Sequence, residues 1–202
     1  MPIKLFLASS NPGKLAEYRA LAAASARSAP VALELLPNFD LLPRFEENAP
    51  TFAENAAGKA LHYSRLCEEL VFADDSGLVV PSLGGAPGVH SARYAGEHAA
   101  NSQRIEKLLS EMRRKTGIER SAHFVCAIGL ARRGRAIAIV TDSVHGEILE
   151  APRGSGGFGY DPVFYFPALK KTFAEISKEE KNQLSHRGKA FRRLLAALSS
   201  ML

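Results

Sequence analysis

Ile3-Lys4-Leu5-Phe6-Leu7-Ala8-Ser9-Ser10-Asn11-Pro12-Gly13-Lys14-Leu15 is the stretch that decides the fold class. Ile3 to Ala8 is a short apolar run and reads as a strand. It breaks into a polar turn, after which Leu15, Tyr18 and Leu21 recur at helical spacing. Asn11 or Ser10 caps that helix, and Pro12 takes its first position, where a missing N–H costs nothing. A strand, a polar turn and a helix in succession open an α/β chain.

The rest of the chain extends the pattern. Val31 to Leu36 reads as a second strand. Thr51-Phe52-Ala53-Glu54 is a capping-box pattern, and Phe52, Ala56, Ala60, Tyr63, Cys67 and Leu70 trace one helical face behind it. Leu70 to Ala73 reads as a short buried strand that stops at Asp74-Asp75-Ser76-Gly77. Leu78 to Val80 then resumes it as a hairpin. The glycines and prolines of 82–96 predict a loop, and Ile105, Leu108, Leu109 and Met112 a helix. Ala122, Phe124, Cys126, Ile128 and Leu130 alternate as one face of a strand. Arg133-Gly134 turns it back into 136–140, and Ser143 to Leu149 adds another. Val163 to Phe166 is a last strand. Ser185 caps a final helix with Ala190, Leu194, Leu195 and Leu198 on its apolar face. Several neighbouring strands are antiparallel, so the expected sheet is mixed.

At 202 residues the chain suits one domain, or one domain with two lobes, and buries a core without disulfide or metal staples. Neither cysteine sits in a C-x-x-C motif, so Cys67 and Cys126 read as small core residues of a reducing compartment. No run of some 18 apolar residues and no N-terminal apolar h-region is present, so the expectation is a cytoplasmic chain without a membrane span. The net charge of +5 suits an anionic ligand. It falls short of a nucleic-acid footprint, and no row of aromatics interleaves the basic residues.

Four constellations carry chemistry. Asp74-Asp75 at a strand end are two carboxylates whose burial is costly without a partner, and a divalent cation supplies one. An ordinary β-turn is the other reading. Glu46 and Glu47 are a second source of a metal ligand, or a solvated acidic loop. Ser9 to Lys14 forms an anion site at a helix start, with Lys14 adding charge, or an ordinary cap with a surface lysine. It is not a Walker A loop. His186, Arg187 and Lys189 stand in the first turn of the last helix, where the macrodipole disfavours cations, so an anion or an electron-rich base shared with the helix start explains them. In Gly156-Gly157-Phe158-Gly159-Tyr160-Asp161 the glycines admit a ligand to the backbone. Phe158 or Tyr160 stacks on a base, or fills the core, and Asp161 bonds the base edge or holds the loop. Metal carboxylates, phosphate cations and a base loop are what triphosphate chemistry requires. A non-catalytic nucleotide-binding module would keep the cations and the loop but would not need the Asp74-Asp75 pair.

With these residues and with Thr51-Phe52-Ala53-Glu54-Asn55-Ala56, Gly84-Gly85-Ala86-Pro87-Gly88, Ser91-Ala92-Arg93-Tyr94, Glu180-Lys181 and Ser185-His186-Arg187-Gly188, the chain resembles the inosine triphosphatase family end to end. These are non-standard purine nucleoside triphosphate pyrophosphatases. The resemblance implies an elongated mixed β-sheet with flanking helices, two lobes with an active-site cleft, and a homodimer. It implies hydrolysis of inosine, deoxyinosine and xanthosine triphosphates to monophosphate and pyrophosphate. By it, Ser9, Ser10, Asn11, Pro12, Gly13 and Lys14 hold the triphosphate, and Glu47 and Asp75 hold Mg²⁺. Asp75 also accepts the proton of the attacking water, supported by Asp74. Ser76 contacts substrate, and Phe158, Gly159, Tyr160, Asp161, Lys181, His186 and Arg187 form the purine pocket. Donors on His186 and Arg187 suit a 6-oxo acceptor and leave a 6-amino group facing donors.

Overall fold

A computed structural model of the chain describes residues 3–25 and 31–200. Among the described residues seven strands form one sheet: β1 (Ile3–Leu7), β2 (Val31–Leu35), β3 (Leu70–Val79), β4 (Ser121–Arg132), β5 (Arg135–Ile148), β6 (Phe164–Phe166) and β7 (Lys171–Thr172). Their order is β2-β1-β3-β4-β5-β6-β7. β1 pairs in parallel with β2 and β3, while β6 pairs antiparallel with β5 and β7, so the sheet is mixed as expected. Among the described residues five α-helices accompany it: α1 (Pro12–Ala24), α2 (Phe52–Ser64), α3 (Asn101–Glu111), α4 (Lys178–Leu184) and α5 (His186–Ser200). No described helix is long and apolar enough to cross a membrane.

The chain divides into two compact units. One holds the residues up to Asp75 with Cys126–Asp142 and Arg187 onward. The other holds Ser76–Val125 and Ser143–His186. In the first unit the parallel strands are covered on both faces. Leu5, Leu7 and Phe72 pack with Tyr18 of α1 and Phe191 and Leu194 of α5. Phe6, Ala8, Val71 and Ala73 face the other way, onto Ala60 and Tyr63 of α2. Successive strand side chains point to opposite faces, so β1 and β3 each feed two cores. The second unit has its own core, where Leu108 and Met112 meet Phe124, Val163, Phe164 and Phe173.

Three expectations need correction. Asp74-Asp75-Ser76-Gly77 is no turn, because β3 runs unbroken through it from Leu70 to Val79. Gly77 sits inside the strand because a Cβ there would collide with Ser91 Oγ and stand 2.6 Å from the Gly88 carbonyl oxygen. Close approach, not turn geometry, demands that glycine. Likewise 136–140 and 143–149 are not two strands but the single β5, continuous through Thr141-Asp142. The third concerns length. The helix begun at Thr51 stops at Ser64, leaving Cys67 and Leu70 of the proposed face beyond its end, and the short α4 and β7 had no periodicity long enough to be read.

Candidate functional site

In the first unit the polar turn after β1 and the residues beyond the paired part of β3 fall at the same end of two parallel strands, since the register ends at Leu7↔Phe72. The carboxyl ends of parallel strands are where open α/β sheets bind ligands. The turn is ordered by its own side chains. Asn11 Oδ1 accepts from Gly13 N at 2.9 Å and Lys14 N at 3.1 Å, and Asn11 N donates to the buried Ser9 Oγ at 3.2 Å. The Gly13 and Lys14 N–H groups are thus already capped. What this turn can offer an anion is the Lys14 charge and the hydroxyls of Ser9 and the exposed Ser10, more than those two N–H groups. Pro12 and Gly13 open α1.

Because strand side chains alternate, Asp74 falls on the Phe72 face of β3 and Asp75 on the face of Val71 and Ala73. Their surroundings differ accordingly. Asp74, 1% exposed, has Lys14 Nζ at 3.0 Å from Oδ1 and Arg187 Nε at 3.5 Å from Oδ2. Burial pushes its carboxyl upward, but Lys14, Arg187 and Lys59 outweigh that and hold it below the usual value. Asp75, 6% exposed, accepts from Asn55 Nδ2 at 3.0 Å. Burial first, then the charge of Glu47, push it up to about 6, against the opposing pull of Lys14 and Asn55. One carboxylate is pinned as an anion and its chain neighbour is poised to hold a proton.

Glu46 and Glu47 separate just as clearly. Glu46 is exposed and bonded by Asn48 Nδ2 at 3.0 Å, whereas the half-buried Glu47 meets Lys59 Nζ at 2.5 Å. The Glu47 charge raises the cost of Asp75 as an anion, which is the situation a hard cation relieves, and both side chains offer the oxygens such a cation prefers. Among the described residues no three His, Cys, Asp or Glu side chains stand ready as a metal cage. A cation held by one or two carboxylates would need water and phosphate oxygens to complete its shell. Cys126, 4.0 Å from Asp74 Oδ2, is wholly buried, and that burial pushes its thiol up to about 12, far from a nucleophile.

Arg187 is where the structure departs furthest from expectation. It is 2% exposed, and its guanidinium ion-pairs with Glu17 of α1 as well as with Asp74. Two of its donors, Nη1 and Nε, face carboxylates of its own unit, which gives it a part in holding Asp74.

In the second unit, Asp161 organises the glycine loop. Its Oδ2 accepts from Phe158 N at 2.8 Å and from Lys181 Nζ at 2.5 Å. Lys181 Nζ also lies 4.8 Å from the centre of the Phe158 ring. Gly157 turns with φ +71°, and a Cβ there would collide with the Asp161 carboxylate. Gly159 completes the loop with φ +64°. Tyr160 belongs to the core: it is 4% exposed and its hydroxyl donates to the Ser91 carbonyl at 2.9 Å. Of the two aromatics, Phe158 is the more accessible. His186 is also buried, stacked on Phe124 at 4.8 Å and 12°. Ser76, partly buried, follows Asp75 in β3. Phe158 and Gly159 also line an open cavity of about 900 Å³ with Ile105, Leu109, Arg113 and Arg120, which none of Asp161, Lys181 and His186 reaches.

Asn55, Lys59 and Glu17 were missed. The first two stand four apart on α2, on one helical face, and that spacing was the available signal. Glu17 had none, since its partner is 170 residues away.

The Ham1 family profile matches residues 5–197. The chain is 49% identical to a dITP/XTP pyrophosphatase of Geobacillus kaustophilus, over 95% of this chain and 92% of that one. It is 46% identical to a dITP/XTP pyrophosphatase of Ralstonia nicotianae, over 96% of each. Among solved structures, a HAM1 protein of Coxiella burnetii superposes with a TM-score of 0.85 at 39% identity, over 98% of this chain and 99% of that one.

Proposed function

Because the chain belongs to the Ham1 family, we propose that it hydrolyses non-canonical purine nucleoside triphosphates, such as dITP and XTP, to the monophosphate and pyrophosphate. The observation that carries this reading is the contrast across one strand, Asp74 held as an anion and Asp75 raised to about 6. That raised value is the cation-free one; once Glu47 and Asp75 share a cation, the ionised Asp75 carboxylate is the group placed to take a proton from water. A purely binding module would have no use for it.

Lys14, with the hydroxyls of Ser9 and Ser10, takes the triphosphate, exchanging its contact with Asp74 for phosphate oxygens. Glu47 and Asp75 hold a divalent cation, taken as Mg²⁺ from the all-oxygen donor set. When bound, that ion neutralises charge on the phosphates and on the departing pyrophosphate. Asp75 takes the proton of the attacking water. The water oxygen bonds to the α phosphorus as the bridging bond to the β phosphate breaks, and pyrophosphate leaves with the bonding pair. Asn55 keeps the Asp75 carboxylate aimed, and Arg187 with Glu17 keeps Asp74 in place. Phe158 stacks on the purine, and the cationic Lys181, fixed by Asp161, faces the base's 6-oxo group. The working unit is a cytoplasmic homodimer, which size-exclusion chromatography tests.

Pyrophosphate release from dITP and dATP, with and without Mg²⁺, tests the reading. Fast metal-dependent release from dITP alone is expected. Release of single phosphate removes the cleavage position, equal use of both nucleotides removes the base selection, and no turnover with either returns the chain to a binding role.

A further inference from the structure

His123 and His145 stand side by side on β4 and β5, on the strand face opposite Phe124 and Val144. Burial alternates along both strands: Ala122, Phe124, Val144, Gly146 and Ile148 point inward, while His123 is half-buried and His145 exposed on the other face. The imidazole centroids are 5.2 Å apart with the rings inclined by 31°. Neither ring is hydrogen-bonded to the described residues, so the ring nitrogens are open to another partner. Burial, then the neighbouring His145, hold His123 below the usual histidine range, which keeps its lone pair unprotonated at neutral pH.

We propose that His123 and His145 form a bidentate site for a borderline transition-metal cation of the Zn²⁺ or Ni²⁺ kind. Neutral imidazole nitrogen is the favoured ligand of these ions and a poor one for Mg²⁺, so the pair selects a different class of cation from the carboxylate pair of the hydrolytic site. Two ligands on adjacent strands are already fixed relative to each other, and the second bond forms at high effective concentration. Among the described residues no third His, Cys, Asp or Glu completes a cage. Water fills the remaining positions, and binding is reversible. Bound metal ties β4 to β5 beside Phe124 and so stabilises the folded chain by mass action. The inference stands on this pair alone and is independent of the hydrolase reading.

The test is calorimetric titration of the full-length, tag-free protein with Zn²⁺ in excess Mg²⁺, with thermal unfolding in parallel. One Zn²⁺ per chain and a raised unfolding midpoint are expected. His123→Gln and His145→Gln should each weaken binding by on the order of a hundredfold, and His98→Gln should leave it unchanged. Absence of binding to the wild type overturns the proposal. So does unaltered binding by a double His123→Gln/His145→Gln variant whose circular dichroism matches the wild type.

Discussion

Asp75→Asn should abolish turnover and at the same time stabilise the metal-free protein. The Asp75 carboxyl rises from 3.8 to about 6 on folding. A raised carboxyl means that the folded state holds the proton more tightly, so between pH 4 and 6 the native state binds more protons than the unfolded chain. Stability therefore falls as pH rises through that window, and the loss is complete above it. At 1.36 kcal/mol per pH unit, the gap between 3.8 and about 6 amounts to ~3 kcal/mol as an upper figure. Asp74 acts in the opposite sense and at lower pH. Its lowered carboxyl contributes stability above its ordinary value of 3.8 that disappears on further acidification, so the two effects separate. An asparagine at 75 keeps the Asn55 contact and carries no charge to bury. In urea unfolding at pH 5 and pH 8 without divalent ions, the wild type should lose stability between the two values and the variant should not. At pH 8 the variant should be the more stable, by up to ~3 kcal/mol, which for a chain of this length is roughly 6–12 °C in melting temperature. Added Mg²⁺ should stabilise the wild type and do little for the variant. A variant less stable than the wild type at pH 8, with the same dependence on pH, would refute the account of Asp75.

Other substitutions probe the neighbours. Arg187→Met removes one of the cations facing the buried Asp74, which keeps Lys14, and the one paired with the half-buried Glu17, and should cost up to about 3–5 kcal/mol, read by denaturant unfolding. Arg187→Lys should recover stability only in part, because a lysine does not reach both carboxylates in fixed geometry. Lys14→Met should cut kcat/KM by two orders of magnitude or more while raising the Asp74 carboxyl, which titration followed by NMR would report. Lys181→Met should raise KM for dITP more than it lowers kcat and shrink the preference for dITP over dATP, and steady-state kinetics on both substrates would show it. Gly77→Ala should destabilise by about 1–3 kcal/mol through its clash with Ser91 and Gly88, seen as a lowered melting temperature.

Some of this architecture could be read directly. The Asn11 cap with Pro12 behind it and the Thr51 cap of α2 are local chemistry, and both stand where their residues place them. Asp74 to Gly77 misled because Asp, Ser and Gly favour turns by local propensity. A central strand between β1 and β4 imposes extended backbone regardless. With a turn, two adjacent carboxylates converge on one ligand; with a strand they diverge, and only then do their unequal surroundings follow. The capped N–H groups at Lys14, the buried Tyr160 and the Glu17–Arg187 pair were illegible for another reason. Each depends on which distant element packs there, and single-chain periodicity carries no such information.

The back-to-back placement of Asp74 and Asp75 has a consequence for anyone redesigning this protein. Their division of labour depends on the parity of their positions and not on the identity of either residue. Moving one carboxylate by a single place along β3 would put both on the same side, in one dielectric and against one set of cations, and they would then titrate as a coupled pair. The strand works as a partial divider: Lys14 still pulls on Asp75 and Lys59 on Asp74, yet among the charges Asp74 answers first to Lys14 and Asp75 first to Glu47.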